Sequence, residues 1–206
     1  MIKLFREKKI NDLFITAGRN IIKKADSIND YELFNSEVES LAIKTLAPLK
    51  LKHLSIDFEN RTAESKMIDI PAENFPRNYD VRRGQKYPCA RVSYSYNLLS
   101  NNIELLSVSP INFTISQIVD TNVGKNNFTI HYQTLYGNLN LTDEIKKEIK
   151  NWASSLEDEM KEVVKCINKE IDTFNIDILE LLKKAIEDRK NKIISKKDQD
   201  NDLNDF

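Results

Sequence analysis

Four glycines in 206 residues leave no Gly-rich loop in which backbone amides could cradle a phosphate. The two histidines, His53 and His131, and the two cysteines, Cys89 and Cys166, are equally sparse. No His-x-x-x-His, Cys-x-x-Cys or Gly-x-Ser-x-Gly occurs, and neither cysteine lies near a histidine in sequence, so no metal site and no cofactor is expected. Two distant thiols cannot build a disulfide framework, and they fit the reduced state of a cytoplasmic protein. Excess charge is missing too. Lys and Arg number 31 against 32 Asp and Glu, a formal net charge of -1, so attraction to nucleic acid or an anionic membrane would need a local patch. No stretch approaches the ~18 apolar residues of a spanning helix. The start, Met1-Ile2-Lys3-Leu4-Phe5-Arg6-Glu7-Lys8-Lys9, lacks the apolar stretch of a signal peptide. No membrane partner is expected, and the four Asn-x-Ser/Thr triplets at Asn60, Asn112, Asn127 and Asn140 read as chance.

What is present suffices for a sizeable core: 40% of residues are hydrophobic and 31% charged. Abundant Asn, Lys and Ile hint at an AT-rich, bacterial genome. Near the start, Ile10, Leu13, Phe14, Ala17, Ile21, Ala25 and Ile28 recur at helical spacing. Asn29-Asp30-Tyr31-Glu32 announces a second helix, with Asn29 as cap and a stripe of Phe34, Val38, Leu41 and Ala42 before Pro48. A helical hairpin over residues 6–47 follows.

The period then changes to two. Leu54, Ile56 and Phe58 alternate with polar residues, Asn60-Arg61-Thr62-Ala63 looks like a turn, and Ile68 and Ile70 continue a second strand. Pro71 to Pro88 holds three prolines and Gly84 and reads as a long loop. Strands are expected around Val92–Tyr96, Ile103–Val108, Ile111–Ser116 and Phe128–Tyr132, with a turn over Asp120–Asn126. The expectation is a central antiparallel sheet of about five strands over residues 50–135. From Asn138 onward nothing breaks a helix, and Ile145, Ile149, Trp152, Leu156, Met160, Val163, Ile167, Ile171, Phe174, Ile178, Leu182 and Ile186 keep the helical period. Thr142 is a suitable cap, so residues 142–195 form one very long helix, or a pair divided near Asn175. The polar residues 196–206 read as a disordered tail or a linker. The fold class is α+β, a single domain over residues 1–195.

Three groups of residues are candidates for function. Asp57 followed by Glu64-Ser65-Lys66 resembles the acidic, acidic-x-Lys set of metal-dependent nucleases, in which two carboxylates hold Mg²⁺ and the lysine assists water. The proline that usually precedes the Asp is missing and the spacing is short. Alternation also places Glu64 and Lys66 in phase with Ile68 and Ile70, on the presumed core side. Arg77, Arg82, Arg83, Lys86 and Arg91, interleaved with Tyr79, Tyr87, Tyr94 and Tyr96, form a basic and aromatic set able to hold phosphates and stack on bases. The plainer alternative, which is favoured over nucleic acid, puts Tyr94 and Tyr96 in the core and pairs the arginines with Glu73 and Asp80. His131 joins Ser93, Ser95, Asn112, Thr114, Ser116, Asn127 and Thr129 on a polar sheet side, either a covered binding face or an ordinary wet one.

The terminal helices carry more apolar surface than the rest of a small domain covers, so Leu156, Met160 and Ile167 are expected at an interface, either in self-association or with a protein partner.

The segment from Lys161 to Ile194, with Ile171-Asp172-Thr173-Phe174-Asn175, Leu179, Leu182 and Arg189-Lys190, resembles one in multidomain bacterial proteins. Those proteins couple an N-terminal module to a defence effector such as a TIR or restriction-endonuclease-like domain. The resemblance implies a helix pair that ends in a basic patch and leads out of a non-catalytic module. It carries over no catalytic residue. The expected function is a binding or oligomerisation module, a sensing or scaffold part of antiviral defence. The alternative is a small nuclease using Asp57, Glu64 and Lys66.

Overall fold

Period-two alternation dominates the middle of the chain and period-3.6 alternation its ends, and the computed structural model, which describes residues 1–204, follows that division. In chain order the elements are β1 (Ile2–Lys3), β2 (Lys8–Lys9), α1 (Ile10–Asp26), α2 (Asp30–Asn35), α3 (Val38–Leu46), β3 (Ile56–Pro71), β4 (Lys86–Leu98), β5 (Val108–Ser109), β6 (Asp120–Val123), β7 (Asn127–Gln133) and α4 (Asp143–Asn204). Short 3-10 turns lie at Ala72–Asn74 and Ile103–Ser107. The fold is α+β. Its residues group into two compact units, one of Met1–Lys8 with His53–Ile167 and the other of Lys9–Lys52 with Asn168 onward. No helix among the described residues is long and apolar enough to cross a membrane.

The first unit is an antiparallel five-stranded sheet in the order β1-β6-β7-β4-β3. Register puts Tyr94 opposite Ile130 and Tyr96 opposite Phe128, so these four share one face. All are buried, and the Tyr96 and Phe128 rings stack at 5.3 Å. The first half of α4 lies against this face. Its Ile149, Ala153, Leu156, Met160, Val163 and Ile167 are buried at helical spacing. Tyr96 donates its hydroxyl to Glu157 at 3.4 Å, and Arg61 and Lys161 reach the same carboxylate at 3.1 and 3.0 Å. Thr142 caps the helix by accepting the Ile145 N–H at 3.4 Å.

Leu156, Met160 and Ile167 therefore do not form a free interface. Each is 0% exposed within the chain's own core. The aromatic sheet face is broad enough to cover the stripe, and each large aliphatic side chain buried there contributes roughly 1.5–3 kcal/mol.

The second unit is helical. Asn29 caps α2 as its sequence suggests, accepting the Glu32 N–H at 2.7 Å. The anticipated second helix is interrupted, however, because Ser36 and Glu37 are extended and separate α2 from α3. Ile21, Ala25, Ile28, Leu33, Leu41, Ala42 and Leu46 surround Ile178, Leu182 and Ile186 of α4. Gly18 lets α1 approach closely, since a Cβ there would stand 3.4 Å from Ile178. One turn earlier Phe14 stacks on Phe174 at 4.6 Å. Arg189 closes the C-terminal end of α1, donating to the carbonyls of Ala25 and Ile28 and pairing with Asp30 at 3.0 Å. This residue, part of the implied basic patch, is thus committed inside its own unit.

No helix pair forms. α4 is unbroken at Asn175, whose side chain caps nothing and instead accepts the Leu51 N–H at 3.1 Å and donates to the Leu51 carbonyl at 2.9 Å. The polar tail expected from residue 196 is helical as far as Asn204, and the last two residues lie outside those described. Three strand expectations also change. Residues 60–63 do not turn: β3 runs through them with a register shift between Asp57 and Thr62. Ile103–Ser107 is a 3-10 turn, and Ile111–Ser116 is irregular.

Candidate functional site

The sheet face turned away from Tyr94 and Tyr96 carries rows of small polar and charged side chains. Register aligns Thr62, Ser95 and Thr129 in one row, Glu64, Ser93 and His131 in the next, and Lys66, Arg91 and Gln133 in the third. Each row is closed by a cross-strand hydrogen bond: Ser95 to Thr129 at 2.8 Å, Ser93 to His131 Nδ1 at 2.9 Å, and Arg91 Nε to Gln133 at 2.9 Å. Of the polar residues expected here, Asn127 lies on this face opposite Asn97, while Asn112, Thr114 and Ser116 are outside the sheet.

His131 is the centre of the arrangement. Asn122 of β6 approaches Nε2 with its amide nitrogen at 3.0 Å. With that donor in place Nε2 accepts, Nδ1 carries the proton, and Nδ1–H points at Ser93. In that tautomer the imidazole has no lone pair aimed at the serine hydroxyl. Burial, followed by the charges of Arg91 and Lys66, lowers the His131 pKa and keeps the ring neutral near pH 7.

β6 stops pairing with β7 beyond Ile130, which leaves the last residues of β7 beside a cleft of about 430 Å³. Arg91, His131 and Gln133 contribute from one side, and Tyr132, Trp152 and Gln117 from the other. Trp152 donates its indole N–H to Gln117 at 2.5 Å and meets the Tyr132 ring edge-on at 5.0 Å. The Tyr132 hydroxyl is bonded to Glu148, and burial, reinforced by that carboxylate, pushes its pKa up to about 12. Among the described residues Asp120 is the one carboxylate in the cleft wall.

The other candidates fall elsewhere. Arg82, Arg83 and Lys86 are exposed around the β3–β4 connection. There Gly84, at φ 79, donates its N–H to Glu73 at 3.0 Å, and the Arg82 N–H reaches the Tyr87 hydroxyl at 2.8 Å. The ring of Phe75 meets Tyr79 and Tyr87 edge-on, so the loop is held by its own aromatics. Arg83 lies close enough to Glu73 to help lower that carboxyl's pKa, after the backbone amides of Glu73 and Gly84. Tyr94 and Tyr96 are core. Lys86 and Arg91 are five residues apart on one strand and face opposite sides, so the basic set is divided.

Asp57 and Glu64 do not meet. Asp57 stands opposite Asn97 and Glu64 opposite Ser93, a separation of about 13 Å along β4. No single Mg²⁺, with ligands at ~2.1 Å, bridges that gap. Asp57 is already engaged by the Asn60 side-chain amide and by the N–H groups of Asn60 and Glu59, which lower its pKa. Glu64 and Lys66 are exposed, contrary to the core side expected of them. Among the described residues no group of three His, Cys, Asp or Glu is placed to hold a metal ion.

Sequence reasoning put His131 and Arg91 in separate groups and missed Asn122, Gln117, Tyr132 and Trp152 as cleft residues. Alternation does place Gln133, two residues after His131, on the same face, and the ladder bears that out. Comparison with known proteins finds no matching family model, no similar curated protein and no similar solved structure.

Proposed function

We propose that this chain is a non-catalytic binding module, and that its first unit takes a small anion, a carboxylate or phosphate, in the cleft at the end of β7. The observation that supports this most directly is Arg91, held through Nε by Gln133 with its paired Nη donors not used in that bond. Lys66, in the same row, adds positive charge, and neutral His131 adds polarity without competing for the anion. Tyr132 and Trp152 offer flat apolar surface for the body of such a ligand. The lack of a base aimed at Ser93 and the distance between Asp57 and Glu64 both favour binding over catalysis. The likeness of Lys161–Ile194 to segments that precede defence effectors supports a sensing role within antiviral defence, with the cleft as the sensor.

Calorimetric titration with inorganic phosphate and with a nucleoside monophosphate tests the reading. Binding of at least one probe is expected, weakened about ten- to a hundredfold by Arg91→Ala, the range for losing a charged hydrogen bond. No heat from either probe at millimolar concentration, or unchanged affinity in the variant, would refute it.

A further inference from the structure

β3 is the outer strand of the sheet, and among the described residues no strand pairs with its far side. Glu59 to Lys66 are all exposed. A long open edge carries a row of unsatisfied N–H and C=O groups and invites another strand. The charges along this edge indicate which one.

We infer that β3 is a dimerisation edge, pairing antiparallel with β3 of a second copy about a two-fold axis through Ser65. In that register Glu64 of each copy stands opposite Lys66 of the other on the open polar face. Thr62 stands opposite Ile68, Ala63 opposite Met67, and Arg61 opposite Asp69. Directly opposed residues of antiparallel strands share a face, and every one of these pairs satisfies that rule. The contact is isologous and closes at two copies, joining two five-stranded sheets into one of ten.

The same charges reject the neighbouring registers. Moving the axis one residue toward the N-terminus sets Glu64 against Glu64, and one residue toward the C-terminus sets Lys66 against Lys66. Like charges directly opposed destabilise a ladder, so the register is specified rather than permissive. Charged residues on an edge also serve as guards against pairing, but a Glu-x-Lys guard fails in the one register that matches it to itself. The regular ladder of β3 begins at Thr62, after the register shift, and Arg61 already lies 3.1 Å from Glu157. Glu64 and Lys66 therefore carry the specificity. The inference needs no ligand in the cleft; Lys66 is common to both readings, and sedimentation reads oligomeric state rather than anion binding.

Sedimentation of the full chain at high micromolar concentration should give twice the 23.9 kDa of one copy. Glu64→Lys and Lys66→Glu should each be monomeric under conditions where the unmodified chain is dimeric, with unchanged far-UV circular dichroism. An equimolar mixture of the two variants should form a one-to-one heterodimer, because a strand with two lysines then faces one with two glutamates. A monomeric unmodified chain at every concentration, a dimer indifferent to the single changes, or variants that stay monomeric when mixed would each overturn the inference.

Discussion

The amide of Asn175 places a polar side chain where the helical stripe calls for an apolar one, 5% exposed between Ile171 and Ile178. Its two bonds satisfy both backbone groups of Leu51, which lies outside any helix or strand and has no ladder partner. Asn175→Ala should lower the urea midpoint by an amount equivalent to about 1–3 kcal/mol, since it strands a donor and an acceptor together. Asn175→Asp keeps the acceptor but sets a buried carboxylate against the Leu51 carbonyl, so it should cost at least as much as the alanine change. Equal stability for all three chains would mean water replaces the amide. Tyr132 gives a second consequence, in pH. Its phenol, ordinarily near 10, is pushed up to about 12 by burial and by Glu148, so the folded state holds that proton more tightly than the unfolded one. The stabilising contribution is complete below pH 10 and is lost as pH rises toward 12. Absorbance titration should show more than one tyrosine ionising late, and Tyr132→Phe should remove one of them and lessen the alkaline loss of stability. The Tyr96 pKa is also raised, chiefly by burial and then by Glu157, and adds to the loss in the same direction.

Among the elements, α4 keeps the apolar stripe its sequence spells out, although it also runs through residues 196–204 that read as a tail. Thr142 caps it as anticipated, and the spacing of Ile149, Leu156, Met160 and Ile167 marks a buried stripe. What spacing could not reveal was the partner of that stripe. An amphipathic face looks the same whether a sheet or a second chain covers it, and the aromatic face of β4 and β7 decided the matter. Strand periodicity was legible in β4 and β7 because their polar and apolar residues alternate cleanly. It misled at Asn60–Ala63, where turn-type residues form the irregularity of a continuous strand, with Asp57 gathering the N–H groups of Glu59 and Asn60. It misled again at Ile103–Ser107, an apolar run too short for periodicity to separate strand from helix.

At the scale of the whole molecule the chain builds two cores, and α4 supplies buried residues to both. Leu182 belongs to the helical unit, among Ile21, Leu33, Leu41 and Ala42. Leu182→Ala should cost about 2–5 kcal/mol there and speed amide exchange through α1 and α3. Protection in β4 and β7 should change much less, because those strands are held by the ladder of the other unit. Uniform loss of protection across all of these elements would show that the two units open as one.

Composition and spacing by themselves determined the α+β class, the cap at Thr142, the helical register of α4 and the alternation that separates Tyr94 and Tyr96 from Ser93 and Ser95. These are local properties, set by backbone period and by the chemistry of neighbouring residues. Tertiary structure decided the rest. Asn122, Arg91, His131 and Gln133 lie on three strands, and only antiparallel pairing brings them together. The same pairing holds Asp57 and Glu64 apart, leaves β3 without an outer neighbour and fills the space beside Leu156. Such outcomes depend on which strands become neighbours, and long-range pairing leaves no local signature in a single sequence.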